Sequence, residues 1–256
     1  MVKNELIKFD SQEAKDILQA IEKLRKDGHR IEKERHADIL FITGCTSDKD
    51  GNEDDDGMLA FERYTGGAST RMLNFFGSFH QERKRLLDLY VLSAGYGFIP
   101  ADSSILKYDV SFNNVNSKLR KEMAKKLEIR KNFRDLLKLG YKLIILRLGP
   151  KYIKALNDDL KNNDELFYDV PNGTEVVYLK PKSTGEILLQ AESSQSETIK
   201  LLKTSGFELK KVSDCKLSND AQDTIWSEFF KKNKDKSTDE IIKKIKNVKS
   251  VEELLK

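Results

Sequence analysis

Apolar runs of strand length recur along this chain and alternate with segments of helical periodicity. Three of them, Ala37–Thr43, Tyr90–Leu92 and Tyr141–Leu146, are short and rich in β-branched and aromatic residues. Two further runs, Thr174–Leu179 and Phe207–Val212, follow later. Strands that alternate with helices favour a mostly parallel sheet covered on both faces. The sequence therefore predicts an α/β fold, with a mostly parallel sheet flanked by helices.

Helices are predicted between these runs. Apolar residues at three- and four-residue spacing predict a helix over Ser11–Lys26 and a long, charged helix over Ser117–Leu139. Shorter helices are predicted from Ser69 or Thr70 to Phe76 and over residues 80–89, 151–160 and 197–205.

Beyond Asn219 the strand signals stop. Ser237 with Glu240 and Ser250 with Glu253 form capping boxes that predict two short helices. Residues 231–256 hold nine lysines and five acidic residues, a charge of +4 that equals the net charge of the whole chain. We expect an α/β domain over 1–218 and a lysine-rich helical extension over 219–256, which either docks on the sheet or serves as an interaction module.

The composition excludes several classes of protein. With 38% hydrophobic residues the chain is too apolar for wholesale disorder. No apolar run approaches the roughly 20 residues that span a membrane. Two cysteines, Cys45 and Cys215, are too few for a disulfide framework or a zinc site. We therefore expect a cytoplasmic protein that does not associate with membranes.

The sequence contains no motif that is specific for a cofactor or a reaction. The phosphate-binding loop, the dinucleotide fingerprint, the HExxH zinc motif and the nucleophile elbow are absent. The three histidines, His29, His36 and His80, lack metal-ligand spacing. The acidic run Asp48–Gly57 lacks the glycine and glutamate positions of a calcium-binding loop. We predict no cofactor and no metal, and the sequence leaves open whether the protein is an enzyme.

Small polar and glycine-rich turns follow the predicted strands. Gly44–Ser47 ends the first strand, Ser93–Asp109 follows the second, and Leu148–Lys151 follows the third. Tyr64–Gly67 can join them from the preceding connection. Because parallel strands end at one edge of a sheet, we expect these turns to converge on a nucleotide- or nucleobase-sized pocket.

The predicted contacts to the ligand differ in their chemistry. Backbone N–H groups and hydroxyls hold a phosphate or carboxylate, Lys49 and Lys151 pair with an anion, and Tyr96 stacks on a base. Asp102 and Asp109 read base or ribose edges, or act as general acid or base. The alternative is that the glycines only serve turns and the tyrosines pack on the core. The predicted ligand-binding residues are Cys45, Thr46, Ser47, Lys49, Tyr64, Thr65, Gly66, Ser93, Tyr96, Gly97, Tyr108 and Lys151.

A family resemblance rests on residues of the same turns. The pattern consists of Ala60-Phe61, Tyr64-Thr65-Gly66, Leu92-Ser93-Ala94, Tyr96-Gly97, Pro100, Asp102 and Tyr108, with Cys45, Lys49 and Lys151-Tyr152 at neighbouring turns. It resembles the YaaA-like family, which includes small uncharacterised bacterial and archaeal proteins, over roughly residues 37–155.

The resemblance implies an α/β protein with a basic cleft that binds nucleic acid, and the namesake of the family is linked to protection of DNA under peroxide stress. The sequence departs from the family in three respects. It has no helix-hairpin-helix signature, its spacing from Phe61 to Tyr64 is shorter, and residues 1–230 carry no net charge.

Two functions follow as hypotheses. The first is a nucleic-acid-associated protein that binds a nucleotide or nucleobase, with DNA or RNA phosphates contacting the lysine-rich extension. The alternative is an enzyme that cleaves or exchanges an N-glycosidic bond of a nucleoside or modified base. In that enzyme Asp102 or Asp109 would stabilise an oxocarbenium-like centre while Tyr96 stacks on the base. A structural or adaptor protein, whose loops only close the sheet, is the third interpretation.

Overall fold

A five-stranded sheet forms the centre of the protein. The computed structural model describes residues 6–26, 34–46, 48–52, 56–66, 70–81, 85–157, 174–178, 180–181, 187–188, 219–247 and 254. The strands are β1 (Ile39–Gly44), β2 (Met58–Leu59), β3 (Asp88–Ser93), β4 (Gly97–Pro100), β5 (Ser104–Ile105), β6 (Leu143–Arg147), β7 (Glu175–Tyr178), β8 (Lys180–Pro181) and β9 (Ile187–Leu188). The helices are α1 (Gln12–Lys26), α2 (Ala60–Arg63), α3 (Thr70–Gly77), α4 (Ser117–Lys126), α5 (Ile129–Leu137), α6 (Pro150–Asn157), α7 (Asn219–Lys232) and α8 (Thr238–Asn247).

The sheet is mixed but mostly parallel, in the order β4-β3-β1-β6-β7. The central strand β1 pairs in parallel with both β3 and β6, and β6 pairs in parallel with β7. Only β4 runs antiparallel, along the outer side of β3. All six residues of β1 are buried, as expected for a strand of a parallel sheet that is covered on both faces. The predicted α/β class is confirmed.

Two groups of helices flank the sheet. Helices α1, α4, α5 and α6 pack on one another, and α3 packs on α7. Phe41 of β1 meets Trp226 of α7 edge-to-face, with ring centroids 6.1 Å apart. Ile241 of α8 is also fully buried. The helices of the predicted extension therefore share the core of the sheet domain.

The segment after β3 differs from the sequence-based expectation. Instead of a single long loop, the chain turns at Ala94–Tyr96 and returns as β4, so that Pro100 pairs with Tyr90. Gly97 begins the return with a φ of 79°, and a Cβ at this position would lie 3.1 Å from the carbonyl oxygen of Leu127. Glycine meets both requirements, because it adopts positive φ without penalty and has no side chain.

Two helix predictions are wrong in their extent. No helix is present at residues 80, 81 and 85–89, because β3 already begins at Asp88. The continuous helix expected over 117–139 is interrupted at Glu128, whose φ of 49° cannot belong to an α-helix. The capping box of Ser237 and Glu240 is confirmed. The predicted elements at 197–205 and 207–212 lie outside the described residues.

Candidate functional site

The carboxyl ends of β1, β3 and β6 form one edge of the sheet, here called the carboxyl edge. Cys45 directly follows β1, Ser93 ends β3, and α6 follows β6. An isolated antiparallel bridge between Lys49 and Tyr64 brings two further turns together. The prediction that strand-end turns converge is confirmed for these segments.

Three hydroxyl groups form a buried hydrogen-bonded chain at the carboxyl edge. The Tyr108 hydroxyl lies 2.8 Å from that of Tyr64 and 2.6 Å from Oγ of Ser93. Oγ of Ser93 also accepts the backbone N–H groups of Gly95 and Tyr96, at 3.2 and 3.0 Å. These two donors occupy both lone pairs of the serine oxygen, so Ser93 must donate its proton to Tyr108.

The three hydroxyl groups interact with one another beyond this chain. Tyr64 also has a hydrogen-bond interaction with Ser93, which opposes the effect of burial on its pKa. Tyr64 is 1% and Tyr108 8% exposed. Burial raises the pKa of both phenols well above the usual range. Both tyrosines therefore stay protonated at neutral pH and can act as hydrogen-bond donors.

Lys49 adds a cationic group beside this chain. Its Nζ lies 4.4 Å from the centroid of the Tyr108 ring, within the range of a cation–π contact. Burial lowers the pKa of Lys49, while the negative charges of Asp109 and Asp48 partly offset this effect. The half-buried ammonium and the neighbouring phenols give this part of the edge a set of donors that suits acceptor-rich or anionic groups.

Cys45 is held by a tyrosine that is absent from the predicted ligand-binding set. The hydroxyl of Tyr152, in α6, lies 3.0 Å from the Cys45 carbonyl oxygen and 3.1 Å from its Sγ. The phenol donates its one proton to the carbonyl, so the Cys45 thiol donates to the phenol oxygen. Gly44 permits this contact, since a Cβ there would lie 3.2 Å from the Tyr152 ring. The contact attaches α6 to the end of β1.

Arg63 fixes the loop that carries Lys49. The side chain of Arg63 is fully buried and donates to the carbonyl oxygens of Asp50 and Ile105, at 2.7 and 3.0 Å. Thr46 adds a hydrogen bond from its Oγ1 to the Asp48 carbonyl, at 2.6 Å. The sequence gives no sign of this role, because an arginine in a short helical segment is usually exposed.

The remaining turn residues have supporting positions. Thr65 is exposed, and its N–H donates to the Asp48 carbonyl at 3.4 Å. Gly66 is buried so close to Asp48 that a Cβ would lie 2.2 Å from its carboxylate. Ser47 lies outside the described residues. Lys151 is half-buried in the first turn of α6.

Tyr96, in the turn between β3 and β4, contacts both Leu106 and Tyr108. Its hydroxyl accepts the backbone N–H of Leu106 at 2.9 Å, and its ring meets that of Tyr108 at 74°, with centroids 5.5 Å apart. Gly97 follows it as the first residue of β4. Tyr96 thus ties the turn to the segment that carries Tyr108, and its predicted stacking on a base stays a prediction.

The expectation that Asp102 lies at the carboxyl edge is wrong. Because β4 runs back along β3, Asp102 lies at the opposite edge, where its Oδ2 is 2.6 Å from Nη2 of Arg85. Asp109 is exposed and close enough to Lys49 to affect its pKa. The two predicted catalytic carboxylates therefore lie at different edges of the sheet.

Comparison with known proteins identifies no relative: no family model, no curated protein and no solved structure matches this chain. The YaaA-like resemblance stays a prediction. None of the helices in the described part of the chain has the length and apolar character needed to cross a membrane. Within the same residues, no group of three or more His, Cys, Asp or Glu side chains is arranged to hold a metal ion.

Proposed function

We propose that the carboxyl edge binds a nucleotide or a nucleobase, and that the protein acts in association with nucleic acid. The observation that carries this proposal is the buried cluster of the Tyr64, Ser93 and Tyr108 hydroxyl groups next to the Lys49 ammonium. Hydroxyl and ammonium donors gathered at the carboxyl ends of parallel strands suit a ligand that is rich in acceptor atoms. Phosphate oxygens, ring nitrogens and carbonyl oxygens of bases are such acceptors.

The position of the residues in the sequence also supports the proposal. Tyr64, Ser93 and Tyr108 are widely separated in the chain, belong to the pattern that resembles the YaaA-like family, and meet in one hydrogen-bonded chain. A shared ligand site requires such a convergence of residues from distant parts of the chain. We infer membership of that family on this basis.

Calorimetric titration of the full chain with nucleotides, nucleosides and free bases tests the ligand proposal. We expect saturable binding of at least one of them, and a dissociation constant raised about tenfold or more by Lys49→Met or Tyr64→Phe. Lys154→Met is the matched control, because Lys154 is an exposed lysine of α6. The proposal fails if none of the compounds binds, or if the control weakens binding as much as Lys49→Met.

The lysine-rich junction of α7 and α8 supplies the candidate contact to nucleic acid. Lys232 ends α7, Lys236 lies between the helices and Lys244 lies in α8, and burial together with the charges of Lys236 and Lys232 lowers the pKa of Lys244. Such a cluster attracts polyanions and releases counterions when it binds phosphates. With only two cysteines in the chain, we infer that this association takes place in the reducing cytoplasm.

Binding of DNA and RNA oligonucleotides at several salt concentrations tests this second part. Replacing Lys232, Lys236 and Lys244 together by glutamine should weaken binding and reduce the steepness of its salt dependence, by up to about 0.9 per lost phosphate contact. The control replaces three other exposed lysines by glutamine and so removes the same charge. These are Lys121 and Lys125 on α4 and Lys138 directly after α5. Absence of binding at low salt to both nucleic acids would exclude the association.

An enzyme acting on an N-glycosidic bond is the second candidate. The observation in its favour is the charge interaction of Asp109 with Lys49, which places one carboxylate beside the proposed ligand site. Asp102 cannot contribute, since it lies at the other edge. If a nucleoside bound at the site is turned over, Asp109→Asn should abolish the turnover without abolishing binding. Full turnover by this variant would eliminate the candidate.

A further inference from the structure

The opposite edge of the sheet, here called the amino edge, contains a second cavity. It has a volume of about 320 Å³ and is lined by Glu34, His36, Arg85, Asp88, Leu89, Tyr90, Pro100, Asp102 and Ser103. This volume lies at the lower end of the range of small-molecule sites. None of these residues belongs to the proposed nucleotide site.

Asp88 is the central group of this cavity. Its side chain is only 3% exposed, and its Oδ2 accepts three hydrogen bonds, from the backbone N–H groups of His36 and Ala37 and from the hydroxyl of Tyr141. Its Oδ1 is buried and has no hydrogen-bond partner among the residues that the structure describes. A buried carboxylate oxygen without a donor is costly, so the cavity wall has an acceptor that needs a donor.

The other charged groups of the cavity also favour a ligand that donates hydrogen bonds and carries a positive charge. Three carboxyl groups, those of Glu34, Asp88 and Asp102, face one guanidinium group and one imidazole. Arg85 is already paired with Asp102 at 2.6 Å. The cavity therefore has an excess of negatively charged acceptor groups. A ligand that matches it must carry hydrogen-bond donors and a positive charge.

We propose that the amino-edge cavity binds a small organic cation that donates N–H hydrogen bonds, with an amidinium, guanidinium or primary ammonium group next to Asp88 and Glu34. The apolar part of the ligand packs on the aliphatic and aromatic wall of Leu89, Tyr90 and Pro100. This site is independent of the proposed nucleotide site, so either can exist without the other.

Calorimetric titration of the full chain with three compounds of one shape tests the proposal. Benzamidinium carries the charge and the N–H donors, benzamide is its neutral analogue, and benzoate is the anion. At constant ionic strength we expect saturable binding of benzamidinium, at least about tenfold weaker binding of benzamide, and no binding of benzoate. Equal binding of benzamide and benzamidinium, or binding of none of the three, would overturn the proposal.

Two variants locate the site. Asp88→Asn should weaken benzamidinium binding about tenfold or more, and Glu34→Gln should weaken it several-fold. Glu34 has an exposed side chain, so its variant decides the question even if Asp88→Asn fails to fold. Asp10→Asn is the control for loss of one exposed carboxylate elsewhere. An equal loss of affinity in Asp10→Asn and Glu34→Gln would contradict the proposed location.

Discussion

The three hydroxyl groups of the carboxyl edge differ in the closeness of their contacts. The Tyr108 hydroxyl lies 2.8 Å from that of Tyr64 and 2.6 Å from Oγ of Ser93, and Tyr64 interacts with Ser93 as well. Tyr108→Phe therefore removes the hydroxyl that makes both short contacts, whereas Tyr64→Phe removes a hydroxyl that makes one of them. We expect Tyr108→Phe to lower the free energy of unfolding by about 1–3 kcal/mol and Tyr64→Phe by less, as measured by urea denaturation.

The double variant provides the internal control for this prediction. Because both residues belong to one hydrogen-bonded chain, the loss in the variant with both substitutions should be smaller than the sum of the two single losses. Strict additivity, or a larger loss in Tyr64→Phe than in Tyr108→Phe, would contradict the assigned order of the chain.

Asp88 makes stability depend on pH. Burial raises the pKa of its carboxyl above the usual 3.8, although hydrogen bonds from His36, Ala37 and Tyr141 oppose the shift. The folded state therefore holds the proton more tightly than the unfolded state does. The resulting stability is fully present below the unfolded-state pKa and is lost as the pH rises through the folded-state pKa.

Asp88→Asn removes this dependence, because asparagine does not titrate. The free energy of unfolding of the variant relative to the natural chain should rise as the pH increases from about 3 through the folded-state pKa, and then level off. Urea denaturation at several pH values measures the difference. A constant difference would show that the pKa of Asp88 is the same in both states, and a difference that falls would show that folding lowers it; either result would contradict the prediction.

The α4–α5 pair is the part of the fold that the sequence predicts least well. The break between these helices depends on Glu128, a non-glycine residue in the left-handed region, with a φ of 49°. The stretch contains neither glycine nor proline, so the apolar periodicity continues through it and predicts one helix. Only the structure reveals the break. There, Nη2 of Arg25 in α1 lies 2.7 Å from Oε2 of Glu128.

A matched pair of substitutions tests the strain at this break. Glu128→Ala and Glu128→Gly both lose the exposed carboxylate, but only glycine adopts positive φ without penalty. We expect Glu128→Gly to be more stable than Glu128→Ala by about 1 kcal/mol in urea denaturation. At exposed Lys121 within α4 the order should be reversed, with Lys121→Gly about 1 kcal/mol less stable than Lys121→Ala. The same order at both positions would argue against strain at Glu128.

The sequence predicts the parallel strands of the sheet better than it predicts the β3–β4 hairpin and the candidate site. Strands β1 and β6 were predicted to within two residues at either end, because each is a continuous apolar run followed by a glycine-containing turn. The return strand β4 contains Gly97 and Pro100, residues that normally weaken a strand. Because β4 returns along β3, Asp102 lies at the edge of the sheet opposite to the one that its place in the sequence predicts. The contacts of Arg63 and Tyr152 join distant segments, so local pattern could not reveal them.

At the scale of the whole molecule, α7 is part of the sheet core. Trp226 is the only tryptophan of the chain and is fully buried. It stacks on Phe230, with centroids 6.0 Å apart, and meets Phe41 of β1. The tryptophan fluorescence therefore reports on the junction between α7 and the sheet.

We expect fluorescence and far-ultraviolet circular dichroism to give one coincident unfolding transition, because the junction and the sheet share a single core. Phe230→Ala should move both signals together and lower the free energy of unfolding by about 3–5 kcal/mol. Phe9→Ala, at a partly buried position near α1, is the control and should cost less. A fluorescence transition at lower denaturant than the circular dichroism transition would show that α7 unfolds independently.

The central position of β1 has a consequence during synthesis of the chain. The strand can pair on both sides only after β3 and β6 have been synthesised. Leu40 pairs with Asp88, and Ile39 pairs with Leu143, which follows about 100 residues later in the chain. At translation rates of about 5–20 residues per second, the strand has no neighbour on its second side for about 5–20 seconds. An apolar strand with unpaired backbone groups is prone to associate with other chains. We therefore expect the nascent chain to be most prone to association in this interval.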